Sequence, residues 1–117
     1  MSRRTEFIET LLSQFPDGLD GFNDELSGYV HLEVSQFRGH VEKAVRDGRF
    51  WYLEKAFRLI ETFIDGSGDD VDNALEISFV EDFALGSFTK EEVYEVLKRL
   101  SKPMRATLEK HSEQWRL

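Results

Sequence analysis

Three kinds of side chain in this sequence could do chemistry: its histidines, its clustered carboxylates and one tryptophan set among cations. His31 and His40 lie nine residues apart, about 180° round a helix at 3.6 residues per turn, so they cannot hold one ion together. No His-Glu-x-x-His or Glu-x-x-His pair occurs, which removes the helical zinc-protease and di-iron signatures. His111 falls among Met104, Leu108 and Trp115, the setting of a core-edge histidine rather than a catalyst. The segment 65–76 offers oxygen side chains at loop positions 1, 3, 5 and 9 and Glu76 at position 12, the EF-hand spacing. Asp70 stands where that loop needs its glycine, and Asp72 stands at position 8. The competing reading is a glycine-rich helix end followed by acids in the next helix's first turn, where the helix dipole favours them. The sequence therefore implies no metal and no cofactor.

Glu81 and Asp82 interrupt an otherwise apolar run. Either their side of the helix reaches solvent or they are paired internally with Arg or Lys, because an unpaired buried charge is costly; internal pairing is the favoured expectation. Two carboxylates alone do not make an acid–base catalyst, which leaves a small hydrolase as a weak reading. Trp51 projects between Lys55 and Arg58. It can anchor an interface, or pack on a cation or on the stretch around Phe22. The chain has no cysteine, so disulfides, thiol nucleophiles and cysteine-ligated metals are excluded.

These residues must be positioned by helices. Phe7, Ile8, Leu11, Leu12 and Phe15 share one side of a first helix, which Pro16-Asp17-Gly18 ends. Leu19, Phe22 and Leu26 then offer apolar pins along a looser stretch. Val30, Val34, Phe37, Val41, Ala44 and Val45 form the narrow stripe of a second helix. A third, from about Arg49 to Asp65, carries a wider arc that includes Leu53, Phe57, Ile60 and Phe63. A fourth, from about Asp70 to Leu85, is expected to be apolar almost all round and hence central. Thr89 and Glu92 form a capping-box pattern before a fifth helix, and Ser101-Lys102-Pro103 opens a sixth. No sustained period-2 alternation occurs. The expected fold is a single all-α domain over 1–117, a bundle or array of about six helices with the third and fourth at its centre.

Charge adds a direction. The net charge is −8, and eight acids between Arg58 and Lys90, with no Lys or Arg among them, equal that excess. From Lys98 onward the sign reverses, with six basic residues against Glu109 and Glu113. An acidic chain is a poor nucleic-acid binder. No apolar run is long enough to span a bilayer, and the start lacks a signal peptide's apolar block, so a cytoplasmic location is expected. Asp69, Asp70, Asp72 and Glu76 are expected to form one continuous exposed negative patch, free of nearby cations, with Glu81, Asp82 and Trp51 as further partner contacts.

The stretch Asp72-Asn73-Ala74-Leu75-Glu76-Ile77-Ser78-Phe79-Val80-Glu81-Asp82-Phe83, followed by Leu97, Leu100, Ser101, Pro103 and Leu108, resembles a bacterial all-helical family of uncharacterised small domains. Small acidic domains of this appearance are similar to immunity proteins. That resemblance implies a non-enzymatic inhibitor of a basic bacterial toxin, with a protein as partner. The alternative is a structural or adaptor domain of a larger complex. A small hydrolase and a calcium binder rank behind both.

Overall fold

Side-chain caps start four of the helices. The Oγ of Ser2 accepts from the Thr5 N–H, an Asp69 carboxylate oxygen from the Asp72 N–H, and the Ser101 Oγ from the Met104 N–H. Thr89 and Glu92 form both bonds of the capping box. Each bond satisfies a backbone donor that the first helical turn leaves open. The computed structural model describes residues 2–21 and 28–116; Phe22 and Leu26, two of the expected pins, lie outside them. The elements are α1 (Arg3–Gln14), α2 (Val30–Arg46), α3 (Phe50–Phe63), α4 (residues 70–84), α5 (Lys90–Leu97) and α6 (Lys102–His111), then a 3₁₀ turn at Glu113–Trp115. No strand occurs among the described residues. The fold is all-α, as the periodicity implies.

Helix α4 is not uniform. Its first turn, Asp70–Ala74, and its end, Asp82–Ala84, are α-helical, but Leu75–Glu81 is a π-helix. The wider turn holds an extra residue and changes which side chains face inward. Leu75, Phe79, Val80 and Phe83 are buried, whereas Ile77 is 50% and Leu85 58% exposed. The expectation that α4 is apolar on all sides therefore fails at these two residues. It is central nonetheless, packing on α2 and α6. The Phe79 ring sits 5.8 Å from Phe37 of α2 and 5.3 Å from Phe57 of α3, and Phe83 lies 5.7 Å from Trp115.

The rest of the core follows the stripes. Phe7, Leu11 and Phe15 of the first stripe are buried, while Leu12 is exposed. All six stripe residues of α2 are buried. The arc of α3 is buried apart from Phe50 and Ile64, which are partly buried against the core, and Tyr52 joins it. The chain end closes the bundle over α4. Trp115 Nε1–H and Gln114 Nε2–H both donate to the Ala84 carbonyl, and Gln114 also reaches that of Gly86. These bonds satisfy carbonyls that a helix C-terminus leaves open.

Ion pairs tie α1 to its neighbours. Arg4 binds Glu33 of α2 through two parallel bonds of 2.9 and 2.8 Å, and Glu33 is 2% exposed. Pairing and hydrogen bonding are what make a carboxylate this deep tolerable.

Candidate functional site

The acids expected to form one surface patch are distributed over three separate environments. In the first, the loop from α3 to α4 wraps around Asp72. Its Oδ1 accepts from the N–H groups of Asp65 and Gly66 at 3.1 Å each, and its Oδ2 from that of Gly68 at 3.0 Å. Gly66 and Gly68 have φ of 74° and 75°, backbone that favours glycine. That conformation helps aim successive N–H groups at one carboxylate. Asp72 is 2% exposed and is a structural acceptor, which corrects its assignment to an exposed binding patch.

The other acids of this loop are also engaged. Asp65 accepts from the Ser67 N–H, which holds its carboxyl below the usual carboxylate range. Asp69 is held low chiefly by the Asp72 N–H and secondarily by Arg3. Arg3 lies 3.2 Å from Asp65 and 2.9 Å from Asp69, and donates to the Phe63 carbonyl. The expectation of a patch without a nearby cation is thus corrected by Arg3, 66 positions from Asp69 in sequence. Asp70 is exposed and, alone of these acids, accepts no such bond among the described residues. Of the side chains that the EF-hand spacing offered, Asp65, Ser67 and Asp69 turn their oxygens to backbone N–H groups or Arg3, Asn73 donates to the Gly68 carbonyl and Glu76 lines a separate groove; no cluster fit to hold a metal occurs among the described residues.

The second environment lies where α2 meets the π-helix. Arg38 donates through Nη1 to the Ser78 carbonyl at 2.7 Å and to Asp82 at 3.0 Å. It also lies 3.5 Å from Glu42. Asp82 is therefore paired internally, as expected, though its side chain is half exposed. His31 Nδ1 lies 2.9 Å from Ser78 Oγ. His40 Nε2 meets the Asp20 carbonyl at 3.0 Å. The two histidines thus serve separate contacts.

The third environment is a groove of about 690 Å³ between α3, α4 and α6. Ile64, Ile77, Val80 and Met104 supply apolar surface, and Glu61, Glu76 and Glu81 supply acid. Lys110 and His111 lie on the α6 side. Glu61 accepts from Ser101 Oγ at 2.8 Å; none of the three glutamates takes part in an ion pair among the described residues. Glu81 faces this groove whereas Asp82 faces α2, so the two adjacent carboxylates turn apart. Expected internal pairing of Glu81 is not found among the described residues.

Trp51 stands apart, 63% exposed, its ring centroid 5.7 Å from that of Tyr52 in an edge-on arrangement. Its proposed neighbour Phe22 lies outside the described residues. Sequence reasoning found Glu76 and Glu81 but missed the groove that joins them to Glu61, Ile77 and Met104. Helical periodicity at 3.6 residues per turn places Ile77 on the apolar surround of α4, and the π-helix breaks that count.

No curated protein and no solved structure matches the chain. Residues 8–116, nearly its whole length, match one family, and the chain belongs to it: Domain of unknown function (DUF7674).

Proposed function

We propose that this chain is a non-enzymatic protein-binding domain, and that the groove between α3, α4 and α6 takes a cationic, partly apolar segment of a partner protein. The observation that carries the reading is the groove's composition: three glutamates that make no ion pair among the described residues, beside apolar surface that includes half-exposed Ile77. Apolar contact supplies affinity there, and the acids supply association rate and selectivity for positive charge. The chain's excess of acid adds long-range attraction for the same partner. A bacterial immunity protein that neutralises a basic toxin in the cytoplasm is the function that fits this chemistry, with Glu76 and Glu81 as the principal contacts. Asp70 and Trp51 are further exposed candidates at the periphery.

The test is co-expression with a cationic toxin domain encoded beside this gene. The wild-type chain restores growth, and Glu76→Lys/Glu81→Lys fails to do so while melting at the wild-type temperature. Equal rescue by the double variant removes the groove from the reading, and failure of the wild type to rescue removes immunity.

A further inference from the structure

Helix α6 separates the acidic groove from a second, basic surface. Lys98, Lys102 and Arg105 line a shallow depression of about 420 Å³ beside Tyr94 and Trp115. Around α6, Lys102, Arg105, Ala106 and Glu109 lie roughly 150° from the groove-facing side at 3.6 residues per turn. Tyr94 is 58% exposed, and Lys98 Nζ sits 5.2 Å over its ring. Lys98 pairs with Glu95, and Glu109 with Arg116. Lys102 and Arg105 have no ion pair among the described residues.

This edge has the composition that the acidic groove selects: cations beside an exposed aromatic ring. We infer that the chain self-associates head to tail, the α5–α6 edge of one copy docking in the α3–α4–α6 groove of the next. The occupant is a second copy because the two surfaces are opposite in their balance of charge: Glu61, Glu76 and Glu81 outnumber Lys110 in the groove, and Lys98, Lys102 and Arg105 outnumber Glu109 on the edge. They lie on opposite flanks of one helix, so no copy can satisfy its own groove. Such a contact is heterologous, and it extends into short chains or a ring rather than closing as a twofold dimer. Neither depression offers the area of a stable interface, about 1,200 Å² or more in total. The association is therefore weak, requires high protein concentration, and is sensitive to salt. Net charge −8 opposes the approach of two copies at long range, but at about 0.1 M salt screening beyond roughly 10 Å leaves the local pairing dominant. The inference rests on the groove being a docking surface, and it implies that self-association and partner binding compete.

Sedimentation velocity at about 1 mM protein tests it with Lys102→Gln/Arg105→Gln and Glu76→Gln/Glu81→Gln, both checked by thermal melting. In 0.1 M salt the wild type sediments as dimers and longer species, and at 1 M salt its association constant falls at least tenfold. Each variant alone is monomeric. Their equimolar mixture stops at dimers, because it holds one intact groove and one intact edge. A monomeric wild type, a variant that still associates alone, or a mixture that stays monomeric overturns the proposal. Binding of a lysine-rich amphipathic peptide by Lys102→Gln/Arg105→Gln separates the two readings. Peptide binding by this variant beside a wild type that stays monomeric leaves the groove reading standing and removes this one.

Discussion

Replacing Asp72 by Ala removes the acceptor around which the α3–α4 loop is built. Three backbone N–H groups lose their partner. A hydrogen bond to a charged group contributes about 1.5–3 kcal/mol when its loss leaves the donor dry. Asp65, Gly66 and Gly68 are exposed residues, so water recovers part of each bond, and about 1 kcal/mol per bond is the appropriate figure. The total is about 3 kcal/mol. At about 2.1 cal/mol/K per residue of unfolding entropy, 117 residues give about 4 °C per kcal/mol, hence a fall of about 12 °C in Tm. Calorimetry of Asp72→Ala beside Glu76→Ala measures it. Glu76 is exposed, and its replacement stays within about 0.5 kcal/mol. Equal melting of Asp72→Ala and the wild type refutes the structural role of this carboxylate and restores Asp72 as a candidate for partner contact.

Other expectations follow from buried polar groups. The Tyr52 hydroxyl is buried and has no hydrogen-bond partner among the described residues, so Tyr52→Phe stabilises by about 1 kcal/mol in urea denaturation, because it removes an unpaired donor. Burial pushes the Tyr52 phenol up to about 12. Its contribution is therefore full below pH 10 and is lost as pH rises from there through about 12; Tyr52→Phe lacks this alkaline loss. Arg4→Met strands buried Glu33 and costs about 2 kcal/mol, less than a fully buried pair because Arg4 is one-third exposed. Adding Glu33→Leu recovers most of that loss, and a double-mutant cycle reads the difference. Asp65 and Asp69 have carboxyls held below their usual range. Their stabilisation is full above about pH 4 and falls as pH drops through the folded-state values. Asp69→Asn makes that acid limb shallower in urea titrations between pH 2 and 6.

The helices were legible because their apolar residues recur at helical spacing and their ends carry caps. The α2 stripe and the Thr89–Glu92 capping box are clear cases. What the sequence concealed has three physical causes. A π-helix looks like an α-helix until packing shows which residues turn out, so Ile77 passed for core. A buried carboxylate cannot be told from an exposed one when its partners are backbone N–H groups, so Asp72 passed for surface. Ion pairs between distant positions leave no local pattern, which hid Arg3–Asp69 and Arg4–Glu33 and, for Asp82, the identity of its partner Arg38. The groove needs all three kinds of information, since α3, α4 and α6 meet only through the tertiary fold.

Docking of a cationic segment in the groove is tested most directly by titrating the ¹⁵N-labelled chain with a lysine- and leucine-rich amphipathic peptide, and with its glutamate-for-lysine counterpart. The cationic peptide is expected to shift the amide resonances of Glu61, Glu76, Ile77, Glu81 and Met104, and its effect should weaken as salt rises. Shifts confined to Asp69 and Asp70, or equal shifts from the acidic peptide, would contradict the account.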